Sequence, residues 1–125
     1  MAKDKVLVAL GDNLFFTGKI DNVAGQLEYR MEVAQNPLEL TQKVGQDRPD
    51  LIILDLSTEE VDWAETIKGL KAASPDTPIL AFGPHTEEQL LKDASEAGCD
   101  AVVTKGAFSR ELPDLIRKLG GDSLA

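Results

Sequence analysis

Leu51-Ile52-Ile53-Leu54-Asp55 is the most hydrophobic run of the chain, closed by an aspartate. Four consecutive large aliphatic residues leave no polar face, so the segment reads as a strand covered on both sides, the central strand of a sheet. Arg48-Pro49-Asp50 breaks the chain just ahead of it.

The same alternation spreads outward from this strand. Upstream, Lys5 to Leu10 is a second short apolar run that stops at Gly11-Asp12-Asn13. Phe16, Ile20, Val23, Ala24 and Leu27 then recur at helical spacing behind a cap at Asp12 or Asn13, although Gly18 and Gly25 weaken that helix. Tyr29 to Ala34 alternates like a strand with one exposed face, and Asn36-Pro37-Leu38-Glu39 opens a helix through Leu40 and Val44 to Gly45. Downstream, Ser57 with Glu60 reads as a helix cap, Trp63, Ile67 and Leu70 form a helical face with Trp63 a packing residue, and Ser74-Pro75-Asp76 ends it. Pro78 to Phe82 is a fourth strand, and Thr86-Glu87-Glu88-Gln89 is a capping box for a helix closed by Gly98. Ala101 to Thr104 is a fifth strand, after which Ser109 caps a last helix with Pro113 in its first turn.

Strands alternating with single helices imply right-handed crossovers. The fold class is therefore α/β: one five-stranded parallel sheet, doubly wound, of flavodoxin-like (βα)5 form. Ligand chemistry in such sheets gathers outside the carboxyl ends of the strands, which brings Gly11, Asp12, Asp55, Ser57, Gly83, Pro84 and Lys105 to one crevice.

The length of 125 residues suits one domain, expected over 3–119, with 120–125 a frayed tail. A net charge of −9 repels phosphate backbones and anionic headgroups, which argues against nucleic acid and membrane surfaces as partners. No apolar run approaches the ~20 residues of a bilayer span, and the apolar stretch near the N-terminus is too short for a signal peptide, so the cytoplasm is the expected location. A lone Cys99 and a lone His85 offer no metal cluster; Cys99 reads as an inert thiol and His85 as an exposed loop residue.

The aspartate ending the third strand, together with Ala97-Gly98-Cys99-Asp100-Ala101-Val102-Val103-Thr104-Lys105 ending in lysine, resembles the receiver domain of bacterial response regulators, of the chemotaxis-regulator type. The likeness runs from about Lys5 to Leu119. It implies that Asp55 is the phosphoacceptor for a partner histidine kinase, that a magnesium ion held by an acidic pair neutralises the phosphoryl charge, and that Lys105 pairs with the phosphate. A carboxylate attacks an anionic phosphoryl group only when a metal and a cation offset the charge.

Position by position the chain departs from that pattern. Leu10 and Gly11 stand where the family has its acidic pair, Asp12 coming one residue late; Gly83 replaces the switch hydroxyl, Val102 the switch aromatic, and Gly106 the proline after the lysine. The metal ligands left are Asp12 and Asp55, so magnesium is expected to bind weakly or not at all. Bland alternatives stay open: Asp55 as a turn-capping carboxylate or a partner of Lys105, and Asp12 as a helix cap.

The expected function is an atypical receiver domain, not an enzyme, acting through contacts with a protein partner, a histidine kinase or an output protein, without relying on phosphorylation at Asp55. A conventional phosphoacceptor receiver is the alternative, followed by a flavodoxin-like small-ligand binder, though Leu10 to Leu14 lacks a phosphate-cradling loop. An anti-sigma-factor antagonist is suggested by Leu54 to Ser57 alone. A weak homodimer is also expected on the fourth and fifth helices, where one of Leu90 and Leu91 reaches the surface among Glu87, Glu88, Asp93, Arg110, Arg117 and Lys118.

Overall fold

The computed structural model describes residues 5–121. In chain order the elements are β1 (Lys5–Leu10), α1 (Leu14–Gln26), β2 (Tyr29–Ala34), α2 (Pro37–Asp47), β3 (Leu51–Asp55), α3 (Trp63–Ala73), β4 (Ile79–Gly83), α4 (Glu88–Ala97), β5 (Ala101–Thr104) and α5 (Lys105–Leu119). All strand pairs are parallel, in the order β2-β1-β3-β4-β5. The fold is the expected flavodoxin-like receiver architecture, and β3 lies at its centre with every residue buried.

Alternate residues of the apolar strands feed two cores, one on each face. Leu7, Ala9, Leu51, Ile53, Leu80 and Phe82 pack under α1 and α5 with Phe16, Ile20, Phe108, Leu112 and Ile116. Val8, Leu10, Ile52, Leu54, Ile79 and Ala81 pack under α2, α3 and α4 with Leu40, Val44, Ile67, Leu70 and Ala94. Phe82 stacks on Phe108, with ring centroids 3.9 Å apart and planes inclined by 15°, which fixes α5 against the sheet beneath the crevice.

Two helix starts match the sequence expectation and others differ. Asn13 caps α1, its side chain accepting from the Phe15 amide at 2.9 Å. Asn36 and Glu39 form the expected reciprocal box, with Glu39 N–H to Asn36 Oδ1 at 2.8 Å and Gln35 N–H to Glu39 Oε1 at 2.9 Å. By contrast, α3 is capped by Asp62 rather than Ser57, and α4 starts behind Glu87 with no side-chain cap, so Thr86 does not form its box.

The largest difference lies at α5. It begins at Lys105, behind Thr104 as cap, which places Pro113 in the helix interior instead of the first turn. Proline there removes one helical hydrogen bond. Burial of Phe108, Leu112 and Ile116 along one face outweighs that loss.

Leu90 and Leu91 are both half-buried against the second core, and each keeps part of its surface on the α4 side where a homodimer contact was expected. The expected tail from residue 120 does not begin at Gly120, which is buried and accepts from Lys5 Nζ at 2.9 Å and the Tyr29 hydroxyl at 3.2 Å; residues 122–125, like 3 and 4 of the expected domain, lie outside the described residues.

Candidate functional site

The strand register builds the crevice. Leu10 lies beside Leu54 and Asp55 beside Phe82, so Gly11 leaves β1 next to Asp55, and Gly83 leaves β4 one residue beyond. Asp55 is 97% buried by this arrangement, with only 3% of its surface exposed. Its Oδ1 accepts two hydrogen bonds from Ser57, one from the backbone amide at 3.0 Å and one from the hydroxyl at 2.6 Å. This is the closed turn that an aspartate two residues before a serine readily forms, and it is the turn-capping role weighed for Asp55.

The other oxygen, Oδ2, is buried without a hydrogen-bond partner, as is Thr58 Oγ1. A buried acceptor left unpaired costs about 1–3 kcal/mol, more when charged, so this carboxylate is held at a penalty on one side and clasped on the other. Gly11 permits the arrangement: a Cβ at that position would stand 3.0 Å from Asp55 Cβ and 3.6 Å from Oδ2.

Lys105 does not pair with Asp55. No ion pair within 4.0 Å joins them among the described residues. The ammonium instead lies over the Phe16 ring, 5.4 Å from its centroid, where the ring face attracts a cation. The early start of α5 puts Lys105 in the first helical turn rather than in a loop.

The switch positions are filled by apolar groups. A Cβ on Gly83 would meet Leu91 Cδ2 at 3.2 Å and Leu56 Cβ at 3.4 Å, so α4 leans its leucine into the space a hydroxyl side chain needs. Val102 is half-buried against the α2–α4 core. Asp12 is exposed and is not the cap of α1.

These residues do not fit a magnesium ion. Hard divalent cations require several oxygen ligands, and no group of three or more ligating side chains gathers among the described residues. The β1 end contributes Leu10 and Gly11, and one oxygen of Asp55 is already taken by Ser57. Neither Asp12 nor Asp55 is joined by the further donors that a metal centre needs.

Elsewhere, burial, and next the neighbouring Asp100 carboxylate, push the Cys99 thiol up to about 12, which fits an inert thiol. His85 is exposed in the β4–α4 loop, and the Trp63 indole is buried and donates to the Leu56 carbonyl at 3.1 Å. The Ser57 clasp was visible only as an Asp-x-Ser spacing, and the insertion of Leu91 had no local signal at all.

The sequence profile of the response regulator receiver domain matches residues 8–117. Over 123 residues the chain is 28% identical to the uncharacterized transcriptional regulatory protein YhcZ of Bacillus subtilis, covering 98% of this chain and 54% of that protein. It is also 30% identical over 91 residues to the response regulator MprA of Mycobacterium leprae, covering 73% of this chain and 40% of the relative. The chain thus spans about half the length, or less, of these relatives.

Among solved structures, the receiver domain of sensor histidine kinase PA1611 from Pseudomonas aeruginosa, which has a magnesium ion coordinated in its active site cleft, superimposes with a TM-score of 0.80 at 18% identity, covering 94% of this chain and 98% of that one. Chemotaxis response regulator CheY4 of Vibrio cholerae gives 0.79 at 19% identity, covering 92% and 98% respectively. At such identities these structures establish the shared fold. With the profile spanning most of its length and every element in place, the chain belongs to the response regulator receiver domain family.

Proposed function

We propose that this receiver domain works in the cytoplasm as a signalling module whose output depends on protein contacts and not on a phosphoryl group at Asp55. The observation that carries this reading is the clasp: Asp55 is 97% buried, and Ser57 takes one of its carboxylate oxygens through two hydrogen bonds. A nucleophilic carboxylate must present an oxygen to the phosphoryl donor with its charge offset by a metal and a cation. Here the metal ligands are missing, and Lys105 is engaged on Phe16. The partner is a protein, either a histidine kinase or an output protein.

One observation favours the conventional alternative. Asp55 Oδ2 is buried with no partner among the described residues, and Lys105 follows β5 at the carboxyl end of the same sheet, the two positions that the family's acceptor pair takes. Titration with beryllofluoride or acetyl phosphate in the presence of magnesium, followed by amide chemical shifts, separates the two. The proposed function expects no saturable shifts in Leu51–Ser57, Ile79–Gly83 or Ala101–Lys105. Saturable shifts in those segments, lost in Asp55→Asn, would establish a working phosphoacceptor.

A further inference from the structure

β2 forms one edge of the sheet: β1 pairs with it on one side, and no strand of the described residues lies on the other. An edge strand presents backbone N–H and C=O groups to any strand that comes alongside, and proteins commonly blunt such edges with proline, a bulge, a very short strand or charge. The six residues Tyr29-Arg30-Met31-Glu32-Val33-Ala34 contain neither proline nor glycine. They pair with β1 one for one, from Lys5 beside Tyr29 to Leu10 beside Ala34, without a bulge. Charge is the remaining device, and here it comes as one residue of each sign.

Side chains alternate along the strand. Tyr29, Met31 and Val33 face α1, the first two packed with the first core and Val33 near Leu14. Arg30, Glu32 and Ala34 face α2, where Arg30 pairs with Glu32 and Lys43 lies 3.6 Å from the same carboxylate. Two copies of one strand related by a two-fold axis normal to the sheet run antiparallel, so the axis position sets which residues meet. An axis at Met31 places Arg30 opposite Glu32 of the second copy, and Glu32 opposite its Arg30, on one face. On the other face Met31 meets Met31 and Tyr29 meets Val33. An axis at Arg30 or at Glu32 brings identical charges face to face, which is destabilising. A slip of one residue sets the charged face of one strand against the apolar face of the other. One register alone therefore satisfies both charge and pleat.

We infer that a second copy of this chain pairs along β2, antiparallel and centred on Met31, joining the two five-stranded sheets into one continuous sheet. The net charge of −9 on each copy opposes association, but salt screens charges beyond about 8 Å at physiological ionic strength. What acts at the contact is the local set, and around Glu32 it is balanced: Arg30 and Lys43 against Glu32 and Asp47. Asp21, exposed beside Met31 and Val33, is screened by solvent from its copy. The contact lies at the edge opposite β5, and it needs neither Asp55 nor a phosphoryl group.

Sedimentation velocity of the full chain over a concentration series is expected to show a monomer–dimer equilibrium. Arg30→Glu sets acid against acid in both cross-strand charge pairs, and Glu32→Arg sets base against base; each should weaken the dimer tenfold or more. Mixed in equal amounts, the two variants offer two acidic residues against two basic ones, so a heterodimer is expected at wild-type affinity or better. The double variant Arg30→Glu/Glu32→Arg exchanges the two charges and should recover the homodimer. Recovery in the mixture also excludes misfolding as the cause of the single losses, and circular dichroism checks each variant separately. A strict monomer at every concentration, a dimer unchanged by either single variant, or a mixture that stays monomeric would each overturn the proposal. So would a dimer lost in Leu91→Asp but kept in both strand variants, because the contact would then lie on α4.

Discussion

Replacing Gly83 by threonine restores a hydroxyl at the end of β4 and tests whether the crevice still has room for one. The new Cβ would stand 3.2 Å from Leu91 Cδ2 and 3.4 Å from Leu56 Cβ, against an ordinary carbon contact of about 3.5–4.0 Å. Forcing extra carbons into a packed site costs about 1–3 kcal/mol. Threonine recovers about 0.5–1 kcal/mol through the lower entropy of its unfolded chain and its strand preference, so a net loss of about 1–2 kcal/mol is expected. Leu91→Ala alone should cost a similar amount, because a half-buried leucine forfeits about half of the 2–5 kcal/mol of a fully buried one. The two changes share one space, and in the double variant the threonine occupies what the leucine vacates. Its loss should therefore fall short of the sum by about 1 kcal/mol or more, the coupling typical of touching residues. Equilibrium urea unfolding of the four proteins measures this directly, since a single domain of this size unfolds in one transition. Additivity within about 0.5 kcal/mol would refute the reasoning, because Leu91 would then not be what excludes a hydroxyl side chain from this position.

Asp55→Asn keeps the Oδ1 acceptor for both Ser57 bonds and exchanges the unpaired carboxylate oxygen for an unpaired but neutral amide NH2, so urea unfolding should find it within about 1 kcal/mol of wild type, whereas Asp55→Ala removes the acceptor of both bonds and leaves a void at a buried position, and should lose about 2 kcal/mol. Gly120→Ala places a methyl inside the contact radius of the Tyr29 hydroxyl and 2.8 Å from the Ile116 carbonyl; a loss of about 2–3 kcal/mol is expected, and a loss under about 0.5 kcal/mol would show that α5 is not clamped at its end. For Cys99 the folded thiol titrates at about 12 against an ordinary 9.0, so the neutral form is favoured by folding. That contribution is complete below about pH 9 and is lost progressively as pH rises towards 12, so thermal stability should fall between about pH 8 and about pH 10.5 by more in wild type than in Cys99→Ser.

The parts of this fold that were legible in the sequence are those governed by local pattern. Leu51 to Leu54 announces the central strand because four aliphatic residues in a row need cover on both faces, and Asn36-Pro37-Leu38-Glu39 writes its helix start into four positions. The misread starts are those where a distant contact overrules the local signal. Ser109 is a good cap by composition, yet Phe108 is held on Phe82 by stacking, so the helix must already be running when it reaches that residue. Thr86 fails for the complementary reason: α4 is placed by Leu90, Leu91 and Ala94 against the α3 side of the sheet, and its first turn does without the side-chain bond. Site residues followed the same division. The positions of Asp55 and Lys105 at strand ends follow from periodicity, whereas where their side chains point depends on Ser57 and Phe16, one a near neighbour and the other on a different element.

The departures from the receiver pattern in this crevice are physically connected. Gly11 lets β1 approach Asp55 closely: the first carbon of any side chain there would stand 3.0 Å from Asp55 Cβ, so the carboxylate the family carries at that position requires its neighbour to shift. The Asp55 carboxylate is met by the nearest donors, two of which Ser57 supplies. Lys105, lacking an anionic partner, settles over an aromatic ring, and the helix behind it starts early because Gly106 imposes no proline geometry. Leu91 then closes the β4 side, where Gly83 offers no hydroxyl to be moved. Reinstating the acidic pair alone would meet the Gly11 contact, and reinstating the hydroxyl alone would meet Leu91, so each single reversal is opposed by a neighbour that has already adapted. The crevice thus departs from the receiver pattern at positions that touch one another, so its residues are best tested in pairs, as Gly83 and Leu91 are above, and not one at a time.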